Sequence, residues 1–186
     1  MPKVGVVLSG CGVNDGTEIH ESVLTLLFLN RAGAEVQCMA PDVDQLHVIN
    51  HLTGEEATGD TRNVLVESAR IARGDIVDIS TVKSGDLDAL IFPGGFGAAK
   101  NLCDFAVKGA DSSVNPEVLR LTKEMVSAKK PIGVICIAPA LMAKVMEDAK
   151  MNVNLTIGTD EETASTIEEM GSIHVSCTAQ DFVVDR

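Results

Sequence analysis

Short, wholly apolar runs that end in glycine-rich turns are the feature of this sequence that most limits its fold. Val4–Leu8 is such a run and stops at Ser9–Gly12, and Ala89–Phe92 is another and stops at Pro93–Gly97. Strands that are apolar along their whole length belong to a sheet that is buried on both faces. Helical patterns lie between the runs, so residues 1–186 are predicted to form one α/β domain. Its sheet is expected to be mostly parallel and doubly wound, with helices on both faces.

Helix-end signals and further apolar runs predict the other elements. The helix after the first strand is predicted to begin at Asp15, because Asp15 and Glu18 have the spacing of a capping box. A later helix opens at Asn115–Glu117, where an N-cap residue precedes proline in the first turn. The remaining predicted helices are Val64–Arg73, Ala138–Met146 and Asp160–Met170, and the remaining predicted strands are Val36–Ala40, Ile132–Ile135, His174–Cys177 and Phe182–Val184.

Charge and composition bear on the class of partner and on location. The formal net charge is −12, aromatic residues make up 3% of the chain, and Trp and Tyr are absent. A nucleic-acid binder needs a basic surface, and an anionic membrane attracts basic segments, so neither partner is expected. The first apolar run is too short for a signal peptide, and no Arg-rich leader or long apolar span is visible. A cytoplasmic location is therefore expected.

One of the cysteines stands where a reactive thiol is expected. Cys136 directly follows the predicted strand Ile132–Ile135 and directly precedes a predicted helix, which is the placement of a nucleophile elbow. The positive end of the helix dipole and free backbone N–H groups favour a thiolate there. An odd number of widely spaced cysteines without a Cys-x-x-Cys pair argues against a disulfide framework or a zinc site. The five cysteines are Cys11, Cys38, Cys103, Cys136 and Cys177.

Backbone N–H groups beside Cys136 are candidates for an oxyanion hole. Ligands of an open parallel sheet bind beyond the carboxyl ends of its strands, where Cys136 and the turn at Gly94 and Gly95 are both expected. Glycine lets the backbone approach a ligand closely. The N–H of Gly95, together with that of Ile137, is therefore predicted to bind an oxyanion, with Gly94 beside them.

Two acids on the first helix are candidates for a proton shuttle. Glu18 and Glu21 are spaced i, i+3 and share one helix face just beyond the first strand. Either carboxyl is within reach of a thiol across the switch point of the sheet, and the spacing does not choose between them. Cys11 and Asn101 are further candidates for the pocket, and no metal ligand set is predicted.

Motifs spread over nearly the whole chain resemble those of a known superfamily. The chain is similar to the PfpI superfamily, of the class I glutamine amidotransferase-like and flavodoxin-like fold, and within it to the ElbB branch of isoprenoid-biosynthesis glyoxalases. The resemblance implies a reactive cysteine at Cys136, a functional glutamate at Glu21 rather than Glu18, and an oxyanion pocket from Gly95 and Ile137. It also implies a homodimer. The matching stretches are VLSGCGVNDGTEIHES, APD, VINHLTGE, TRNVLVESARIARG, FPGGFGAAKNL, KPIGVICIAPA, LTIGTD and VVDR.

Departures from the superfamily pattern narrow the expected chemistry. Ile137 stands where amidotransferase and protease relatives carry histidine after the cysteine, so neither glutamine hydrolysis nor proteolysis is expected. Asn14 stands where tyrosine is usual in the branch. The family continues past Val184 with another segment, which we expect to be missing here.

The favoured function is a glyoxalase that needs no cofactor. The Cys136 thiolate adds to glyoxal, a small dicarbonyl, and Glu21 moves a proton through an enediol to give glycolate. The alternative is a protein without enzymatic activity, in which oxidation of Cys136 to a sulfinate is sensed by a partner. The absence of a histidine beside Cys136 favours this alternative, whereas the acid on the first helix favours the enzyme.

Overall fold

A five-stranded parallel sheet forms the centre of the computed structural model, which describes residues 1–185. Its strands are β1 (Lys3–Val7), β2 (Glu35–Ala40), β3 (Ile76–Asp78), β4 (Ala89–Phe92) and β5 (Ile132–Val134). They lie in the order β3-β2-β1-β4-β5, and every neighbouring pair is parallel. The strand order reverses between β1 and β4, so their carboxyl ends border a crevice in which ligands of such sheets bind.

Helices cover both faces of this sheet, as the sequence predicted. They are α1 (Ile19–Arg31), α2 (Val64–Ala72), α3 (Phe96–Lys100), α4 (Phe105–Lys108), α5 (Pro116–Ser127), α6 (Ala138–Asp148) and α7 (Glu161–Glu169). Helices α1 and α2 pack against one face, and α5 and α6 pack against the other. The flavodoxin-like, doubly wound α/β class is confirmed. No helix within residues 1–185 combines the length and the apolar character that crossing a membrane requires.

The alternation of side chains along β1 divides the core between the two faces. Val6 is fully buried and packs with Leu26 and Leu29 of α1, whereas Val7 packs in the larger cluster with Leu121 of α5 and Leu141 of α6. Successive side chains of a strand point to opposite faces, so a run that is apolar throughout supplies both layers. The apolar run read from the sequence therefore fixes a strand buried on both sides.

The first helix begins later than its capping-box spacing predicted. Its N-cap is Glu18, whose side chain accepts a hydrogen bond from the Glu21 N–H, and the helix starts at Ile19. Asp15 is instead buried in the preceding loop, where its carboxylate accepts a 2.7 Å hydrogen bond from the Ile49 N–H. The predicted start at Asp15 is wrong because a contact 34 residues away along the chain takes that carboxylate.

The late strands also differ from prediction. A separate pair of short parallel strands, β6 (Asn154–Leu155) and β7 (Ile173–His174), replaces the predicted strand His174–Cys177. Phe182–Val184 forms no strand, and Phe182 is 82% exposed. Apolar side chains alone do not make a strand when no neighbouring strand is placed to accept and donate its backbone hydrogen bonds.

Candidate active site

Cys136 occupies a sharp turn between β5 and α6. Its φ angle is +58°, in the left-handed region that residues other than glycine rarely adopt. Such a conformation costs about 1–2 kcal/mol and persists where the surrounding structure enforces it. The residue is exposed to solvent, so the strained turn presents its thiol at the carboxyl edge of the sheet. This is the elbow placement that the sequence predicted.

The first turn of α1 brings the Glu21 carboxyl against this thiol. Oε2 of Glu21 accepts a 2.7 Å hydrogen bond from the Gly94 N–H, and the carboxyl lies close enough to Cys136 to raise the pKa of its thiol. A Cβ atom on Gly94 would lie only 2.4 Å from Cβ of Cys136 and 2.7 Å from Oε2 of Glu21. Glycine at this position therefore allows the thiol and the carboxyl to approach each other.

Two further backbone N–H groups lie near the sulfur. Those of Gly95 and Ile137 lie close enough to Cys136 to lower the pKa of its thiol. Gly95 begins α3 with a φ angle of +92°, and a Cβ there would lie 2.3 Å from the Glu18 nitrogen. A side chain is thus excluded where the backbone must come close. Gly94 lies next to Gly95 in the chain, and its N–H donates to Glu21.

The electrostatic surroundings of Cys136 oppose the expectation of a stabilised thiolate. Although part of the residue is exposed, desolvation of the thiol and then the negative charge of Glu21 raise its pKa, and the nearby N–H groups of Gly95 and Ile137 only partly offset them. The predicted preference for thiolate is therefore wrong while Glu21 carries its charge.

Glu18 lies in different surroundings from Glu21. Its carboxylate receives hydrogen bonds from the Glu21 N–H at 2.7 Å and from His20 Nδ1 at 2.8 Å. Partial burial favours the neutral acid, but these hydrogen bonds outweigh it and lower the pKa of Glu18. An acid held in its ionised form as a helix cap is poorly suited to shuttling a proton, so the structure separates the two acids that sequence spacing left equal.

Two other predicted pocket residues, Cys11 and Asn101, have surroundings or hydrogen bonds that separate them from the Cys136–Glu21 pair. Burial and the carboxylate of Glu67 on α2 raise the pKa of Cys11, so its thiol lies in different surroundings from Cys136. Asn101 is 8% exposed and donates to the Ser9 and Asp15 carbonyls while accepting from the Leu46 N–H. Its hydrogen bonds join three segments around the crevice, so its amide is committed to positioning these loops.

Sequence reasoning missed a set of apolar side chains beside the site. An open groove of about 470 Å³ runs between α1 and the sheet, and Glu21 lies in its wall. The signal was present in α1, where apolar residues extend around most of the helix instead of along one stripe. Within residues 1–185, no three His, Cys, Asp or Glu side chains are clustered as a metal site requires. The other groove residues are Leu24, Thr25, Phe28, Leu29, Ile91 and Ile135.

Comparison with known proteins gives one matching family and relatives that are similar over nearly the whole chain. Residues 11–171 match the family model described as the DJ-1/PfpI family. The human "Glutamine amidotransferase-like class 1 domain-containing protein 3, mitochondrial" is 53% identical over 193 residues, covering 99% of this chain and 70% of that protein. The rat "ES1 protein homolog, mitochondrial" is 52% identical over 193 residues, covering 99% and 71%.

A solved structure shows the same fold. The crystal structure of an isoprenoid biosynthesis protein with an amidotransferase-like domain from Ehrlichia chaffeensis superposes with a TM-score of 0.86 and 39% identity. The match covers 94% of this chain and 79% of that chain.

The names of the relatives correct the expected location. The human and rat proteins, and an ES1 protein of Danio rerio that is 38% identical, are all named as mitochondrial. The cytoplasmic location expected from the sequence is therefore wrong. That expectation relied on the short apolar run after Met1, and such a local signal does not identify the compartment that these relatives are named for.

Proposed function

Because this chain belongs to the DJ-1/PfpI family, as its motifs predicted, we propose that it is a cofactor-independent glyoxalase that converts glyoxal to glycolate. The observation that carries the proposal is the approach of the Cys136 thiol and the Glu21 carboxyl across Gly94. A nucleophile beside a group that can both take and return a proton is what the internal rearrangement of a dicarbonyl requires.

The first step is addition of the Cys136 sulfur to one aldehyde carbon of glyoxal. The thiol proton passes to Glu21 as the carbon–sulfur bond forms, and the carbonyl π electrons move onto oxygen. The N–H groups of Gly95 and Ile137, which lie close enough to Cys136 to lower the pKa of its thiol, are the donors proposed to stabilise this oxyanion. Glu21 then returns that proton to the oxygen, which gives a hemithioacetal and leaves Glu21 as a carboxylate.

The second step moves hydrogen between the two carbons of the hemithioacetal. Glu21 removes the proton from the sulfur-bearing carbon to give an enediol, and a proton is returned to the neighbouring carbon. The sulfur-bearing carbon is thereby oxidised to a thioester while its neighbour is reduced to an alcohol, so no external oxidant or reductant is consumed. Water then cleaves the carbon–sulfur bond, releasing glycolate and the free thiol.

The electrostatics of the site predict slow turnover. Because burial and the Glu21 charge raise the pKa of Cys136, the thiolate forms mainly when its proton is transferred to Glu21. The mechanism therefore depends on that transfer. The same dependence weighs against efficient glutamine hydrolysis, for which Ile137 stands in place of the histidine that amidotransferase relatives carry.

A redox-sensing role is the second candidate, and one observation favours it. Cys136 is exposed, and the N–H groups of Gly95 and Ile137 close to its thiol could also donate to the oxygens of a sulfinate. Peroxide is the oxidant that such a role needs, and the thiolate is the form that attacks its oxygen, breaking the O–O bond. The raised pKa of Cys136 slows that attack, whereas in the catalytic role Glu21 stands beside the thiol to take up its proton, so the catalytic role is preferred.

Turnover of glyoxal, followed by the appearance of glycolate in proton NMR spectra, tests the proposal. Wild-type protein is expected to form glycolate and Cys136→Ser to form none. Cys11→Ser is the matched control, because charges other than that of Glu21 surround the Cys11 thiol. Absence of turnover in the wild type, with Cys136 oxidised first by peroxide, would favour the sensor instead.

A further inference from the structure

His51, in the motif VINHLTGE, is bound to Asn14, which lies 37 residues earlier in the loop after β1. Nε2 of His51 accepts a 3.2 Å hydrogen bond from the Asn14 N–H, and Nδ1 lies 3.1 Å from the Ile49 carbonyl oxygen. A backbone N–H can only donate and a carbonyl oxygen can only accept. Nε2 is therefore without a proton and Nδ1 carries one, so the two contacts together require the neutral ring in a single tautomer.

Gly12 makes room for this ring. A Cβ atom on Gly12 would lie 2.6 Å from both Cε1 and Nε2 of His51, and the φ angle of Gly12 is +135°. Any other residue there would be strained and would displace the imidazole. The backbone of the loop is thus shaped to the ring, although the His51 side chain is 38% exposed.

A buried carboxylate lies near the same ring nitrogen. Oδ1 of Asp15 is 3.8 Å from Nε2 of His51, and the Asp15 side chain is 2% exposed. The second carboxylate oxygen, Oδ2, accepts the hydrogen bond from the Ile49 N–H. Oδ1 is too distant to accept a hydrogen bond from the ring as it stands, but it is placed to accept one if Nε2 gains a proton.

Charged groups on three segments surround this contact. Asp15 belongs to the loop after β1, and Glu55 and Glu56 belong to the same loop as the ring, where both are exposed. Lys100 of α3 donates a 2.9 Å hydrogen bond from Nζ to the Asn14 carbonyl oxygen. Because Asp15 is buried, its charge is screened less by solvent than the charges of the two glutamates.

The segment that His51 contacts forms part of the wall of the crevice. The Phe96 N–H donates to the Val13 carbonyl and the Gly97 N–H donates to the Gly16 carbonyl, both at 2.8 Å. Residues 13–16 are therefore held by the turn after β4 on one side and by the histidine ring on the other. Loss of the Asn14 contact would leave this segment bound mainly to the turn.

We propose that His51 is a pH-sensitive switch for residues 12–16, which releases the Asn14 N–H and pairs with Asp15 when its ring is protonated. Histidine is the side chain whose ordinary titration crosses neutral pH. The proton comes from solvent and adds to Nε2, so that nitrogen can no longer accept from Asn14. The new N–H and its positive charge are attracted to Oδ1 of Asp15 instead. This inference does not depend on the proposed function.

Scalar coupling across the hydrogen bond tests the switch directly. In isotope-labelled protein, NMR is expected to show coupling between the Asn14 amide nitrogen and Nε2 of His51 at about pH 8 and none at about pH 5, because histidine titrates between them. Protection of the Asn14 N–H from hydrogen exchange, corrected for the intrinsic rate, should fall by about fivefold, the factor that a typical intramolecular hydrogen bond contributes. Coupling that persists at the lower pH, or is absent at the higher, would overturn the inference.

Two histidines of the same loop supply a matched pair of variants. His51→Gln removes the titrating ring, so the Asn14 amide is expected to lose the pH dependence of its chemical shift. His47→Gln is the control, because the His47 backbone carbonyl accepts from Gln45 Nε2 at 3.1 Å and a change of ring leaves that contact in place. This control should titrate as the wild type does. A titration of Asn14 that survives His51→Gln would assign the switch to another group, and the inference would be wrong.

Replacement of Asp15 tests the partner of the protonated ring. Asp15→Asn keeps an oxygen for the Ile49 N–H but carries no charge, so protonation of His51 gains less and the midpoint of the Asn14 titration is expected to move to lower pH. An unchanged midpoint in the folded variant would contradict the pairing. Because the His51 side chain is partly exposed, His51→Gln keeps the inference testable if Asp15→Asn does not fold.

Discussion

Replacement of Glu21 by glutamine removes proton transfer by this side chain but keeps the shape of the site. The glutamine oxygen can still accept the hydrogen bond that Oε2 of Glu21 accepts from Gly94 at 2.7 Å, and its amide can donate to the sulfur. The charge of the carboxylate is lost, together with its capacity to take up and return a proton. Because that charge is one of the causes that raise the pKa of Cys136, we expect the thiol to ionise more readily in the variant.

Two opposite changes are therefore expected in one protein. Alkylation of Cys136 by iodoacetamide at neutral pH should become faster, since the thiolate is the reactive form. Glyoxal turnover should fall by at least ~100-fold, the lower end of what a general acid–base group contributes, and equivalent to about 2.7 kcal/mol in the barrier. A more nucleophilic sulfur cannot compensate, because the transfer of hydrogen between the carbons still lacks its carrier.

Mass spectrometry of the alkylated protein and NMR of glycolate formation measure the two effects on the same sample. Glu18→Gln is the matched control, because Glu18 caps the same helix turn but is held ionised by Glu21 N–H and His20. It should change turnover little. Turnover that survives Glu21→Gln and collapses in Glu18→Gln would refute the assignment of the shuttle and the electrostatic reasoning behind it.

Three further outcomes are expected. Gly94→Ala should cost about 1–3 kcal/mol of stability in a urea titration and abolish turnover, because the new Cβ would lie 2.4 Å from Cβ of Cys136. Gly85→Ala is the control and should be neutral, because no atom lies within 4 Å of a Cβ there. Cys136 should be alkylated before Cys11 at limiting reagent, because Cys136 is more exposed. Because the pKa of Cys136 is raised, its alkylation rate should keep rising above pH 9.0. A plateau of that rate below pH 8 would contradict the charge of Glu21 as a cause of the raised pKa. We also propose a homodimer, from the family resemblance, and light scattering that gives a monomer at micromolar concentration would exclude it.

The sequence was sufficient where one local feature decides the structure. Ala89–Phe92 is a strand with the bounds that its apolar run predicted, and α5 begins at Pro116 after the predicted cap. Cys136 lies at an elbow because a strand, a turn and a helix follow one another directly along the chain. Fold class, too, follows from such repeated local patterns, because strands that are apolar throughout must be covered on both sides.

Only the tertiary structure decided which groups surround the thiol. Glu21 and Gly94 are 73 residues apart, and the hydrogen bond between them holds the carboxyl near Cys136. The charge of that carboxyl raises the pKa of the Cys136 thiol, whereas the helix dipole alone would lower it. Asp15 likewise lost its predicted capping role to the distant Ile49 N–H. The groove between α1 and Ile91 has the same origin. A local pattern specifies which face of an element is apolar, but hydrogen bonds, charges and cavities arise from distances between segments, and the packing of the whole chain sets those distances.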